Sequence, residues 1–197
     1  RHKHEGERKA PKNEAEEPKS FHPEMGHMKI NLNDAMKAAD DAAFFKQIAK
    51  GVARKYGLAA SFMAKPYADR PGNGMHLHIS LLDGKGKNVF DDGSDAGSPI
   101  LGHALAGALA GLADSMLVFA PHQNSYRRFA IESHAPMAVC WGYENRTAAL
   151  RVPLGPPSQR RIEHRVSGAD ANPYLVLAAI LGAILTGLEY QKPPPPP

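Results

Sequence analysis

The sequence predicts an α+β fold: a mainly antiparallel sheet with long helices on one face. Three observations predict it. The helix-period segments are few and long, three in all. The strand-like runs come consecutively between them, without the regular βαβ alternation of a parallel sheet. And 197 residues, 43% hydrophobic and 22% charged, suit a single domain with a sizeable core.

The elements follow in order. Residues 1–29 are mostly charged at their start and begin with Arg; such a stretch buries too little apolar surface to offset its ordering entropy and is expected to be poorly ordered or aberrant. The folded domain is expected over residues 30–191. Residues 30–33 read as the end of a strand. Asn33 or Asp34 caps a helix whose apolar stripe is Phe45, Ile48, Ala49, Val52 and Tyr56. Arg54 and Lys55 in its last turn, with Gly57 beyond, mark its end. Residues 59–65 form a candidate strand stopped by Pro66, and residues 74–82 a second, with Asp83-Gly84 opening a turn. Ser98 and Pro99 start a helix running to about Ala120. Strand-like runs at 137–143, 147–152 and 161–166 follow, and Asn172 caps a helix from Pro173 to about Tyr190. Residues 192–197 form a stiff proline-rich tail.

Charge and composition exclude several classes. The net charge of +4 is modest and Lys and Arg are dispersed, so nucleic acid is not the expected partner. The longest apolar run, residues 174–188, is shorter than the roughly 20 residues a bilayer demands. Residues 100–120 are interrupted by His103 and Asp114. Neither is expected to meet a membrane. The one cysteine, Cys140, reads as a buried strand residue rather than a reactive thiol, which suits a reducing cytoplasm.

Two strand runs carry chemistry. In Asn73-Gly74-Met75-His76-Leu77-His78-Ile79-Ser80, alternation puts His76, His78 and Ser80 on one face and Met75, Leu77 and Ile79 on the other, toward a core. Two imidazoles so placed serve a metal, or a metal and an adjacent anion; they are equally at home as stray histidines of a half-buried strand. In Arg161-Ile162-Glu163-His164-Arg165, the same alternation groups Arg161, Glu163 and Arg165. A carboxylate between two guanidiniums stays ionised and available to a cation, while the arginine forks suit phosphate or carboxylate oxygens. A solvent-facing ion-pair ladder is the other reading. Arg127, Arg128, Arg146, Arg151, Arg161 and Arg165 fall within about forty residues of sequence, a density suited to ATP-dependent acyl-phosphate chemistry. No P-loop or dinucleotide fingerprint is present.

These runs, with Asn124-Ser125-Tyr126-Arg127-Arg128-Phe129 and Asn145-Arg146-Thr147-Ala148-Ala149-Leu150-Arg151-Val152-Pro153 between them, resemble the glutamine synthetase family over residues 30–190. The wording looks closest to the branch that glutamylates polyamines and other amines. The resemblance implies an ATP-dependent ligase acting on glutamate and an amine, either ammonia or a polyamine, through a γ-glutamyl phosphate. It implies His76 and Glu163 as ligands of Mg²⁺ or Mn²⁺, His78 and Ser80 lining the nucleotide phosphates, and Gly74, Arg128 and Arg165 around glutamate. Arg146 and Arg151 would stabilise the phosphate in transfer. It implies a cytoplasmic homo-oligomeric ring in which a small β domain completes the neighbour's site.

Three departures are visible. Relatives carry further metal-binding glutamates near Phe21 and at the position of Lys29. Their small β domain and Glu-rich strand precede the region matched here, so this chain alone is expected to be incomplete and inactive. Where glutamine synthetase places an ammonium-binding glutamate, this sequence has His134, which when neutral accepts a proton from a larger amine; Glu132 could take over by a small shift. This argues against free ammonia as the preferred acceptor. The alternatives are a non-catalytic structural or regulatory relative and, ignoring the resemblance, a cupin-like metal site, whose many short strands the three long helices disfavour.

Overall fold

The structure, a computed structural model, describes residues 35–130 and 133–197. All belong to one compact unit, Leu32–Pro197. The expectations for the 1–29 segment, the 30–33 strand, the Asn33 or Asp34 cap, Lys29 and Glu132 lie outside the described residues.

The chain orders as α1 (Ala35–Lys55), β1 (Leu77–Ile79), α2 (Pro99–Ala110), α3 (Met116–Phe119), α4 (Gln123–Tyr126), β2 (Trp141–Tyr143), β3 (Leu150–Val152), β4 (Ile162–His164) and α5 (Pro173–Tyr190). The sheet runs β1-β4-β3-β2. Its β1–β4 and β4–β3 pairings are antiparallel and its β3–β2 pairing is parallel, so the sheet is mixed with an antiparallel majority. Each strand is only three residues long, shorter than the sequence runs that foretold them.

Local chemistry explains the helix ends. Ser98 caps α2 by accepting the Leu101 N–H, with Pro99 in the first turn, and Asn172 caps α5 by accepting from Tyr174 and Leu175. Past α1, Gly57 takes φ 69° while Leu58 N bonds Ala53 O and Gly57 N bonds Arg54 O, the paired closure of a Schellman motif. The helix predicted to run from Pro99 to about Ala120 is broken. It stops at Gly111, turns, and resumes as α3. The break falls where a side chain would collide: a Cβ on Gly111 would stand 2.9 Å from that of Ala183.

Helix α2 crosses α5 at Gly107 and Gly187, so close that a Cβ on Gly107 would lie 2.2 Å from the Ala183 carbonyl oxygen. Leu101 and Leu105 of α2 and Val176, Ile180 and Ile184 of α5 share one core with Ile79, Leu150, Val152 and Ile162 of the sheet. Although α5 is long and apolar enough by length and composition to cross a membrane, it supplies three side chains to this buried set and packs against α2.

One expectation fails. Residues 59–65 form no strand: Asn73 N bonds Ala64 O, and the Asn124 side-chain amide pairs with both the N–H (2.9 Å) and the C=O (2.8 Å) of Lys65. A side chain thus takes the place of a neighbouring strand. The apolar stripe of α1 faces outward, with Ile48 62% and Tyr56 77% exposed, while Ala38 and Ala39 are buried instead. Periodicity identified a face and could not say what covers it. Phe45 touches Phe62 edge-on, with 5.9 Å between ring centroids.

Candidate active site

Antiparallel pairing of β1 with β4 sets His78 opposite Glu163, and pairing of β4 with β3 sets Glu163 opposite Arg151. Residues opposite one another project from the same face, so three strands deliver one polar cluster. On the other face Ile79 and Ile162 enter the core.

Glu163 is the centre of the cluster and is 1% exposed. Its Oε1 accepts from Arg165 Nη1 at 2.6 Å and lies 3.1 Å from His76 Nδ1; its Oε2 accepts from Arg151 Nη1 at 2.7 Å. Burial pushes the carboxyl pKa up, but the His76 hydrogen bond and the Arg165 and Arg151 guanidiniums outweigh it, holding the group well below the usual carboxylate range. Burial also lowers the His76 pKa, against the pull of Glu163 and with the help of Arg165. At neutral pH the pair is therefore an anionic carboxylate beside a neutral imidazole. His78 accepts from Arg161 Nε at Nδ1 (3.1 Å), which leaves its Nε2–H toward Glu163 Oε1, 4.0 Å away.

The other sequence-predicted residues divide. Gly74 lies beside His76, where a Cβ would come within 3.0 Å of Nε2 and 3.6 Å of Arg128 Nη2. Arg128 is buried and its fork is engaged by main chain: Nη1 bonds Val166 O, and Nη2 bonds the carbonyls of Arg165, Val166 and Ser167. Burial pushes its pKa down to about 10, against the pull of Asp170, so it remains a cation at neutral pH. His134 meets Arg165 only through its main-chain oxygen, 3.4 Å from Nη2, and is exposed. Ser80 donates to the Arg160 carbonyl at 3.1 Å. Arg146 is exposed on the connection between β2 and β3.

Sequence reasoning missed Glu144 and Asp170. Glu144 accepts from Arg151 Nη2, closing a chain Glu144–Arg151–Glu163–Arg165. Asp170 accepts from Ser125 Oγ at 2.6 Å and counters Arg128. Glu144 directly precedes one motif run and Asp170 follows another by five positions, but only the β2–β3 register and the turn after β4 assign their partners. His164, opposite in alternation to Glu163, is buried against Phe119 with centroids 4.6 Å apart.

Could these residues hold a divalent cation? A carboxylate oxygen and an imidazole nitrogen in the required charge states face each other, a donor pair that suits Mg²⁺ or Mn²⁺. Among the described residues no group of three His, Cys, Asp or Glu side chains converges at one point, so the fit is to two ligands of a larger set.

Comparison with known proteins extends this. Residues 15–197 match the family described as glutamine synthetase, catalytic domain. The chain is 45% identical over 171 residues to gamma-glutamylputrescine synthetase PuuA of Escherichia coli K12, covering 85% of this chain and 36% of that protein. It is 42% identical over 168 residues to gamma-glutamylethanolamide synthetase GlnA4 of Streptomyces coelicolor, with 85% and 36% covered. The chain thus spans little more than a third of the length of these relatives. Among solved structures it is similar to GmaS in complex with ADP, with a TM-score of 0.74 and 37% identity over 83% of this chain and 39% of that one.

Proposed function

The chain belongs to the glutamine synthetase family, and on that premise we propose that it carries the charge-stabilising face of an ATP-dependent ligase joining glutamate's side-chain carboxylate to an amine. The observation that carries the reading is Glu163, buried and anionic, held by Arg151 and Arg165 with a neutral His76 at its edge. Three strands converging on that carboxylate make a site for phosphate-bearing and carboxylate-bearing ligands together.

In the proposed reaction the γ-carboxylate of glutamate attacks the γ-phosphorus of ATP, releasing ADP and leaving a γ-glutamyl phosphate. The amine nitrogen then attacks the acyl carbon, phosphate departs, and the amine proton passes to a base. Arg151 and Arg146 offset charge on the phosphoryl oxygens, Arg165 faces the glutamate carboxylates near Gly74 while Arg128, its fork held by main-chain carbonyls, adds only its charge, and His78 and Ser80 border the nucleotide phosphates. His134 is assigned the proton. His76 and Glu163 would hold Mg²⁺ or Mn²⁺, which supplies neutralisation of phosphate charge when bound.

The acceptor we infer is an organic amine, a polyamine included, rather than ammonia. The support is His134 in place of an ammonium-attracting carboxylate, and the relatives named for putrescine and ethanolamide products. A cytoplasmic, ring-forming homo-oligomer is part of the same reading. The test is ADP release by the full-length protein, dependent jointly on glutamate, an amine and Mg²⁺ or Mn²⁺, with the product identified by mass. Glutamine formed from ammonia as readily as any γ-glutamyl amide refutes the acceptor; no ADP release with any amine refutes the ligase. The second outcome favours a non-catalytic relative, a reading supported by the two-ligand metal set among the described residues.

A further inference from the structure

Arg151 has two carboxylate partners, and the reading above uses only one. Its Nη1 is committed to Glu163, and its Nη2 to Glu144 at the end of β2; its Nε is buried without a partner. Each terminal nitrogen already donates to a carboxylate and the side chain is only 12% exposed, so a phosphate that reaches the outer Nη2 edge meets Glu144 there.

The two carboxylates differ in how firmly they are held. Glu163 is 1% exposed and takes Arg165 as well. Glu144 lies at the rim with its side chain 41% exposed. Its backbone sits at φ 53°, the left-handed region that long side chains occupy at a cost and that asparagine tolerates better. Yet the neighbouring Asn145 does not take that place; it uses its own Oδ1 to accept from Thr147 N and Oγ1. Glu144 is thereby turned so that one oxygen meets Arg151 and the other accepts the Leu154 N–H at 2.6 Å. That Leu154 bond, opposed by slight burial and aided by Arg151, keeps the carboxyl below its ordinary pKa.

We propose that Glu144 is a positioning residue that acts through Arg151: a resident counter-anion that keeps the Arg151 fork in place and yields its outer nitrogen to the oxygens of an incoming polyphosphate. The inference rests on the phosphate-transfer reading given above for the deeper ligand of Arg151. Glu144 and the polyphosphate compete for one N–H edge, so removing the carboxylate's charge tightens anion binding. A residue serving only as a turn would lower the melting temperature and leave anion affinity where it was.

Inorganic tripolyphosphate, titrated calorimetrically into the full-length protein, is the probe. Glu144→Gln is expected to bind it about three- to tenfold more tightly than the wild type, since an exposed competing ion pair is of modest strength. Glu144→Gly, which also relieves the left-handed backbone, should show the same tightening with a melting temperature equal to or above wild type. In an Arg151→Gln background the Glu144→Gln change should alter affinity less than about twofold, the remainder being screened long-range charge. Unchanged or weaker binding in both Glu144 variants overturns the inference, as does equal tightening with and without Arg151. Should the wild type release no ADP while the tripolyphosphate pattern holds, the ligase reading falls and the role of Glu144 stands.

Discussion

The face built by β1, β3 and β4 and the outer face of α1 are both patterned surfaces, and they fared differently. On the strands, alternation placed His76, His78 and Glu163 on one side and Ile79 and Ile162 on the other, and the structure has them so. The helix α1 forms as its apolar stripe predicts, yet Phe45, Ile48, Val52 and Tyr56 of that stripe stand exposed. Strand neighbours fix one another through register, so a short polar run reports on its own surroundings. A helix stripe reports only that something apolar belongs beside it.

The largest test breaks the strand face at its centre. Glu163→Gln leaves Arg151 and Arg165 around a neutral amide, and the lost buried charge should cost about 3–5 kcal/mol of stability, read from urea midpoints. On the proposed ligase reading, ADP release by the full-length protein should vanish with it. Next comes the helix crossing beneath the sheet. Gly187→Ala puts a methyl 2.2 Å from the His103 carbonyl oxygen, and overpacking there should cost about 1–3 kcal/mol in the same assay while leaving the polar cluster chemically intact.

A third test uses pH on the core side of β4. Burial, then the charge of His76, brings the His164 pKa down to about 3. Between the unfolded value near 6.5 and the folded one, the unfolded chain binds a proton that the folded chain refuses, so stability falls as pH falls through this window. At pH 5 the loss from this group is about 2 kcal/mol relative to pH 8. His164→Phe should flatten that part of the urea-midpoint curve; an unchanged slope would refute the assignment. The smallest effect is expected on α1, where Ile48→Lys and Val52→Lys should shift the midpoint by about 0.5 kcal/mol or less. A large loss there would mean that the stripe is covered after all.

How much was legible follows from the range of each interaction. Caps at Ser98 and Asn172 are local and were read correctly. The polar face of Arg161, Glu163 and Arg165 needs only period two. The break at Gly111 and the tight α2–α5 crossing depend on Ala183, more than seventy positions away, and no window of sequence contains it. Residues 59–65 had strand composition, but Asn124 supplied the pairing from a distant turn. Arg128 was assigned to substrate from resemblance; its nitrogens were found on carbonyls of the chain itself. Glu144 escaped notice because its partner is fixed by a parallel register between β2 and β3.

That use of Arg128 bears on what the position can tolerate. One planar head gathers three consecutive main-chain oxygens just beyond β4, where main-chain pairing thins to Arg165 N with Ala149 O and Met75 N with Ser167 O. The end of the strand is riveted as well as laced. A lysine would bring the same charge as a single point and could not span the three oxygens at once, so the swap that looks mildest on paper would loosen the very stretch from which Arg165 projects.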